Sequence, residues 1–383
     1  MRKLATIQKI TALEPIANKD RIELASILGW KVIVGKGEFQ VGDLAVYCEY
    51  DTLLPIKQEF EFLRSNCFSP KWNGFRIRNM KMAGVFSQGI VFSTPILPKK
   101  VKVKEGVDVT DTLEVRKYDP EYLAEMLKPQ KRPAWLKYML KKEWFRKLYF
   151  WMKGNPNRKN LYPEDISKSD ETNVQAAFAH IQKCYPDHRF YKTEKLEGQA
   201  ATYEYRAKGK RPKFRVYSHN FQRPKPDGST WWRYALENRI EEKLKANSKK
   251  YPAIAVQGEL VGPGIQKNIY ELPAIKLYVY SVKNLTTGAY LNYEDLDWYC
   301  IENGFEMVPL FHTGCKLYDT VEEVLDEADG KNVESNTMSY LNPNVMREGF
   351  VWRSELDQSV GFKAKSSKYL MWWDKKEKAE NKD

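Results

Sequence analysis

The first 112 residues are written in short runs of β-branched and aromatic positions broken by turn formers. "LATIQKITAL", "WKVIVGKG", "DLAVYCEY", "FRIRNMK" and "SQGIVFS" are each of strand length, with Gly, Asp, Asn and Pro between them. Strands of that length and spacing predict a small all-β barrel over residues 1–112. From residue 166 onward, strand and helix periods alternate. "DETNVQAAFAHIQ" predicts a helix with Asp170 as its N-cap. "STWWRYALENRIEEKLK" predicts one continuous helix capped near Ser229. "ATYEYRA", "FRVYSHN", "AIAVQGEL", "KLYVYSVKN", "GFVWRSE" and "GFKAKS" read as strands. Residues 166–373 therefore predict a mixed α+β domain with substantial antiparallel sheet. The charged ending "DKKEKAENKD", residues 374–383, predicts a disordered tail.

Between these parts the composition shifts. Residues 113–165 form a basic helical connector, with 13 Lys or Arg against four acids from Arg116 to Lys159. Leu136, Leu140, Trp144, Leu148 and Trp151 recur every three or four residues, which predicts an amphipathic helix. Its basic face either meets phosphates or is simply solvated. The whole chain carries a formal net charge of +13, which points to a polyanionic partner.

Cysteine and histidine chemistry recede. The five cysteines include no C-x-x-C pair, which argues against a zinc site or a disulfide framework and for a reducing compartment. The four histidines show no metal-binding spacing. The N-terminus does not read as a signal peptide, and no apolar run is long enough to span a bilayer. The expectation is a soluble, cytoplasmic protein with no membrane partner and no obligate protein partner.

One stretch raises a chemical question. In "YKTEKLEGQAATYEY", Lys195 precedes Glu197 and Gly198. If residues i and i+2 of a strand share a face, Lys195 lies beside Glu197, and in "GFKAKS" Lys363 lies beside Lys365. A phosphoryl- or nucleotidyl-transfer site uses such groups. An amine is the nucleophile, further lysines offset charge on phosphate oxygens, and carboxylates hold magnesium through water. Glu259, at the end of the strand in "VQGELVGPGIQKNIY", and Glu348, at the start of the strand in "REGFVWR", are the candidate acids.

Read in order, Lys195-Leu-Glu197-Gly198, Ser218-His219-Asn220, Gly258-Glu259-Leu260, Leu277-Tyr-Val-Tyr280, Glu348-Gly-Phe-Val351 and Lys363-Ala-Lys365 resemble the six motifs of the covalent nucleotidyltransferases, the superfamily of ligases and capping enzymes. Five of the six match well. "SKSDETNVQ", "GELVGPGIQKNIY" and "GFKAKSSKYL" resemble ATP-dependent RNA ligases in particular. "IANKDRIELASILGWKVIVGKGEFQVGDLAVYCEYDTLLP" resembles OB modules that bind RNA. An OB module ahead of the transferase domain resembles the Naegleria-type RNA ligases. The implied architecture is an N-terminal OB-like barrel, a basic connector, and a ligase-type, ATP-grasp-like nucleotidyltransferase domain.

The resemblance also implies roles. Lys195 attacks the α-phosphate of ATP to form lysyl-AMP. AMP passes to an RNA 5′-phosphate, and an RNA 3′-hydroxyl then displaces it. Glu197, Glu259 and Glu348 form the outer shell of Mg2+ or Mn2+. Lys363 and Lys365 meet the α-phosphate. Thr193 and Glu194 line the adenine site with Gly198 close by, Tyr278 or Tyr280 stacks on the base, and Val351 packs on its other face. Ser218 and His219 stand where relatives carry Ser-Arg or Ser-Lys. Ala200 stands where many carry a ribose-binding Arg or Asn. The expected RNA is a nicked duplex or structured molecule. A capping guanylyltransferase that uses GTP, and a non-catalytic RNA-binding protein, are the alternatives.

Overall fold

The computed structural model describes residues 3–127, 134–139, 141–145, 162–168, 171–207, 213–223, 226–331 and 337–380. The N-terminal strands form the expected barrel. Ala5–Lys9, Leu44–Cys48 and Ile90–Ser93 pair antiparallel, as do Ala12–Pro15, Ile22–Ile27 and Trp30–Gly35. Ala5–Lys9 and Leu44–Cys48 are buried on both faces, so successive residues feed two cores, whereas Trp30–Gly35 alternates buried and half-buried positions. Ile7, Val46, Leu54 and Phe75 fill one core, and Trp30, Val32 and Tyr47 another.

Residues 190–365 build two sheets. The four-stranded one runs Leu310–Cys315, Phe190–Glu194, Gly349–Ser354, Gly361–Lys365, antiparallel throughout. Helices Val174–Cys184 and Val321–Ala328 cover one face of it with Val174, Phe178 and Val324. The six-stranded sheet has Gln199–Arg206 and Ala253–Val261 at its centre and Gln222–Arg223 at one edge. Residues Lys195–Gly198 pass from the first sheet to the second.

A strap, residues 162–168 and 171–173, lies across the six-stranded sheet and meets the four-stranded one. Buried Thr202, Gln257 and Ser281 lie beneath it, and their polarity is satisfied by it and by one another. Tyr162 Oη lies 2.8 Å from Thr202 Oγ1, and Gln257 Nε2 donates to Tyr162 Oη and the Ser167 carbonyl, each at 2.9 Å. Ser281 Oγ donates to Gln257 Oε1 at 3.0 Å. At the strap's far end the Lys363 amide donates to the Thr172 carbonyl at 2.9 Å.

Four sequence expectations are corrected. The helix expected from Asp170 begins at Val174 with Asn173 at its N-cap; Asp170 itself lies outside the described residues. The continuous helix after Ser229 is two, Thr230–Glu237 and Ile240–Ala246, because Arg239 between them adopts a left-handed conformation (φ 50°). Residues 374–380 are helical, since Ser367–Glu380 is one helix. Its first turns are anchored by buried Tyr369 against Trp372 and Trp373, and the Lys/Glu-rich remainder has good helix propensity. In the connector, helix Ala134–Met139 gives way to a turn at 141–142, so the amphipathic period does not continue unbroken; Leu136 is buried but Trp144 is exposed. Leu140, Leu148, Trp151 and the basic residues of 146–161 lie outside the described residues.

The N-terminal half is seated on the C-terminal half. Tyr122 stacks on Phe221 at 5.9 Å, Asn220 Nδ2 donates to Asp119 Oδ2 at 2.6 Å, and Arg223 pairs with Glu121. No helix among the described residues is long and apolar enough to cross a membrane.

Candidate active site

Where the two sheets meet, they enclose a cavity of about 710 Å3. Lys195 lines it. The expectation that Lys195 and Glu197 share a strand is corrected: the strand ends at Glu194, and both occupy the crossing loop. The loop is pinned on two sides. The Lys195 amide donates to the Gly349 carbonyl at 3.0 Å, and the Glu197 amide donates to Tyr270 Oη at 2.7 Å. Gly198 is required by space, since a Cβ there would sit 2.4 Å from the Leu260 carbonyl oxygen and 2.8 Å from Glu259 Cγ.

Register explains the next row. Thr193, Val351 and Lys363 are cross-strand partners, so all three face the cavity. Lys365, two residues on, shares that face. Glu259 lies within its strand, opposite Ala200 and Tyr278, and reaches the cavity wall. Of the two tyrosines, Tyr280 lines the cavity, with the Arg353 guanidinium 5.3 Å from its ring centroid. Tyr278 is buried in the same apolar cluster as Tyr280 but does not line the cavity. Ser218 is turned into its own loop, bonding Phe221, and His219 is the member of that motif at the wall.

Glu348 is the electrostatic pivot. Only 1% exposed, it takes Lys195 Nζ on Oε2 at 2.7 Å and Lys365 Nζ on Oε1 at 2.9 Å. Burial by itself would raise its pKa, but the two ammonium groups hold it well below the ordinary carboxylate range. Burial also disfavours the charge on Lys365, yet Glu348, with Tyr50, Asp51 and Glu197, holds that lysine well above its usual value. The other two acids go the opposite way. Burial, with the charge of Glu348 beside it, raises Glu197, and burial pushes Glu259 up to about 8 against the pull of Lys195.

Those raised carboxyls fit a divalent cation. Acids held away from bulk water with too little positive charge nearby are stabilised as anions when a cation arrives. Among the described residues no three carboxylate, histidine or cysteine side chains are grouped as they would be to hold an ion directly.

Several cavity residues were not legible in the sequence. Arg353 could have been found, because it lies two residues beyond Val351 on the same strand face. Glu171, paired with Arg353, and Asn173 come from the strap, which carries no periodicity. Tyr50, Asp51, Lys117 and Glu121 come from the N-terminal half, and only the tertiary fold brings them here. Glu194 takes the Tyr340 amide on Oε2 at 2.9 Å, while its buried Oε1 has no partner among the described residues.

Comparisons with known proteins match both halves of the chain. An OB-fold domain model matches residues 4–94, and an RNA ligase family model matches residues 188–370. Among solved structures, Naegleria gruberi RNA ligase with PPi is similar with a TM-score of 0.77 and 26% identity, covering 97% of this chain and 98% of that one. A mutant of the same ligase with ATP and Mn is similar with a TM-score of 0.76 and 26% identity, covering 96% and 98%. A further mutant, with AMP and Mn, gives 0.76 and 26% over 97% and 98%. Comparison with curated protein sequences gave no match.

Proposed function

The chain is an RNA ligase, an OB-fold module followed by a ligase domain, and from that premise we propose that it joins RNA 3′-hydroxyl and 5′-phosphate ends through a lysyl-AMP at Lys195. The observation that carries the residue assignment is Glu348, buried behind the cavity wall and shared by two residues that line it, Lys195 and Lys365.

Lys195 Nζ leaves Glu348, gives up its proton to solvent, and attacks the α-phosphorus of ATP with the freed lone pair. An N–P bond forms, the bond to the bridging oxygen breaks, and pyrophosphate leaves. Lys365, still held by Glu348, and Lys363 offset charge on the α-phosphate oxygens. The RNA 5′-phosphate then takes AMP from Lys195, and the 3′-hydroxyl displaces AMP to close the phosphodiester. Tyr280 and Val351 flank the adenine, and Thr193 and Glu194 face its edge. Glu197, Glu259 and Glu348 would hold Mg2+ or Mn2+ through water. When bound, the ion supplies further positive charge at the phosphate.

We take residues 1–112 as the OB module, 113–165 as the connector and 166–373 as the transferase domain. The module favours nicked or structured RNA by adding a second surface for the backbone. Incubating the protein with magnesium and α-labelled ATP or GTP, beside Lys195→Ala, tests the assignment. Label from ATP that is lost in the variant is expected. Label from GTP alone, or label surviving in the variant, would overturn it. Comparing sealing rates on a nicked duplex and a single strand tests the substrate preference.

A further inference from the structure

The cavity holds a second cation site that the ligase motifs do not describe. Arg223 ends the edge strand Gln222–Arg223 and lines the cavity wall together with Glu121, Ala200 and Trp231. Three contacts fix it. Its guanidinium lies over the Trp231 ring, 4.4 Å from the centroid. Trp231 is itself locked, because its Nε1 donates to the Ala200 carbonyl at 2.9 Å. The Arg223 carbonyl accepts from Trp232 Nε1 at 3.2 Å, which fixes the strand end.

The guanidinium is under-used. One terminal nitrogen pairs with Glu121, and the buried Nε has no partner among the described residues. A guanidinium has five N–H donors in a planar fork that matches carboxylate and phosphate oxygens alike. Glu121 comes from a helix 102 residues earlier in the chain, so the pair also links the two halves of the molecule. Ala200, directly behind Trp231, supplies no polar side chain at this wall. Arg223 supplies one from a different strand.

We infer that Arg223, stacked on Trp231, binds a phosphate group that the reaction brings into the cavity and exchanges Glu121 for it. This rests on the ligase reading. The phosphate comes from one of two sources, the RNA 5′-end or the pyrophosphate portion of ATP. Both offer the same oxygens to the fork.

The test uses the full chain and the variants Arg223→Gln, Arg223→Lys and Glu121→Gln. The first step is followed as labelling by ATP. The second is followed as AMP transfer from labelled protein to a 5′-phosphorylated nick. Arg223→Gln is expected to raise KM for whichever substrate brings the phosphate by roughly tenfold to a hundredfold, the worth of a charge-assisted contact. Arg223→Lys, which keeps the charge without the fork, is expected to fall between. Glu121→Gln is expected to lower the same KM, because it frees Arg223. Direct binding of pyrophosphate, and of 5′-phosphorylated against 5′-hydroxyl nicked RNA, reads the contact without turnover. Wild type should prefer the phosphorylated ligand, or hold pyrophosphate, and Arg223→Gln should lose that. If Arg223→Gln leaves both KM values and both binding measurements unchanged, the inference is overturned. It is also overturned if Glu121→Gln reproduces the Arg223→Gln defect, since Arg223 would then serve only to tie the helix to the strand. Failure of wild-type labelling would count against the ligase reading and leave the binding arm to decide on Arg223.

Discussion

Glu348 shows how one carboxylate sets the state of a whole site. With two lysines against it, removing either leaves a buried charge half-compensated. Lys365→Ala is therefore expected to destabilise the protein by about 1–3 kcal/mol as well as to slow labelling. Glu348→Gln in the same chain should recover most of the stability and none of the activity, and paired urea melts with a labelling assay check this. Glu259 makes the opposite prediction with pH. With its carboxyl raised to about 8, the fold keeps a proton that the unfolded chain has released at any pH between the ordinary carboxylate range and that value. The folded state then binds more protons, so stability falls as pH rises through that window. Cation binding needs the ionised form. Magnesium should raise the melting temperature more at pH about 9 than at pH about 6, and Glu259→Gln should flatten the difference. An equal rise at both would remove Glu259 from the ion site.

Elements were legible where one face of a strand decided its residues. "AIAVQGEL" and "KLYVYSVKN" are strands as expected, and their alternation separates Tyr280 from Leu277 and Val279. The alternation does not say which of two same-face tyrosines reaches a cavity. That depends on where along the strand the cavity opens, and it opens at Tyr280. The crossing loop was misread for a related reason. "YKTEKLEG" has strand composition, but the chain must leave one sheet for the other at Lys195, and pairing partners rather than composition impose that. The same loop tolerates no side chain at its last position. Gly198→Ala must displace the Leu260 backbone or move the loop, so a loss of about 1–3 kcal/mol and a marked drop in labelling rate are expected. Normal labelling in that variant would show that the loop is free to shift.

At the scale of the molecule, the order of the parts could be read and their contact could not. A strand-rich module and a basic connector ahead of an α+β domain follow from pattern and charge. That Asp51, Lys117 and Glu121 would stand at the catalytic cavity follows from no local signal. A chain carrying +13 that binds RNA should lose affinity as salt rises, with log KM for nicked RNA climbing linearly with log salt. A KM indifferent to salt would show that phosphate contacts contribute little.

The strap has a kinetic consequence. Its last residues are bonded to the backbone of Lys363, and its first residues close over Gln257 and Thr202. The Lys363 amide can meet deuterated solvent only when the strap lifts. Its hydrogen exchange should therefore keep time with residues 162–168, which lie across the other sheet, rather than with the neighbouring core strands. A cavity residue would then open at the rate of a segment whose far end lies over a different sheet.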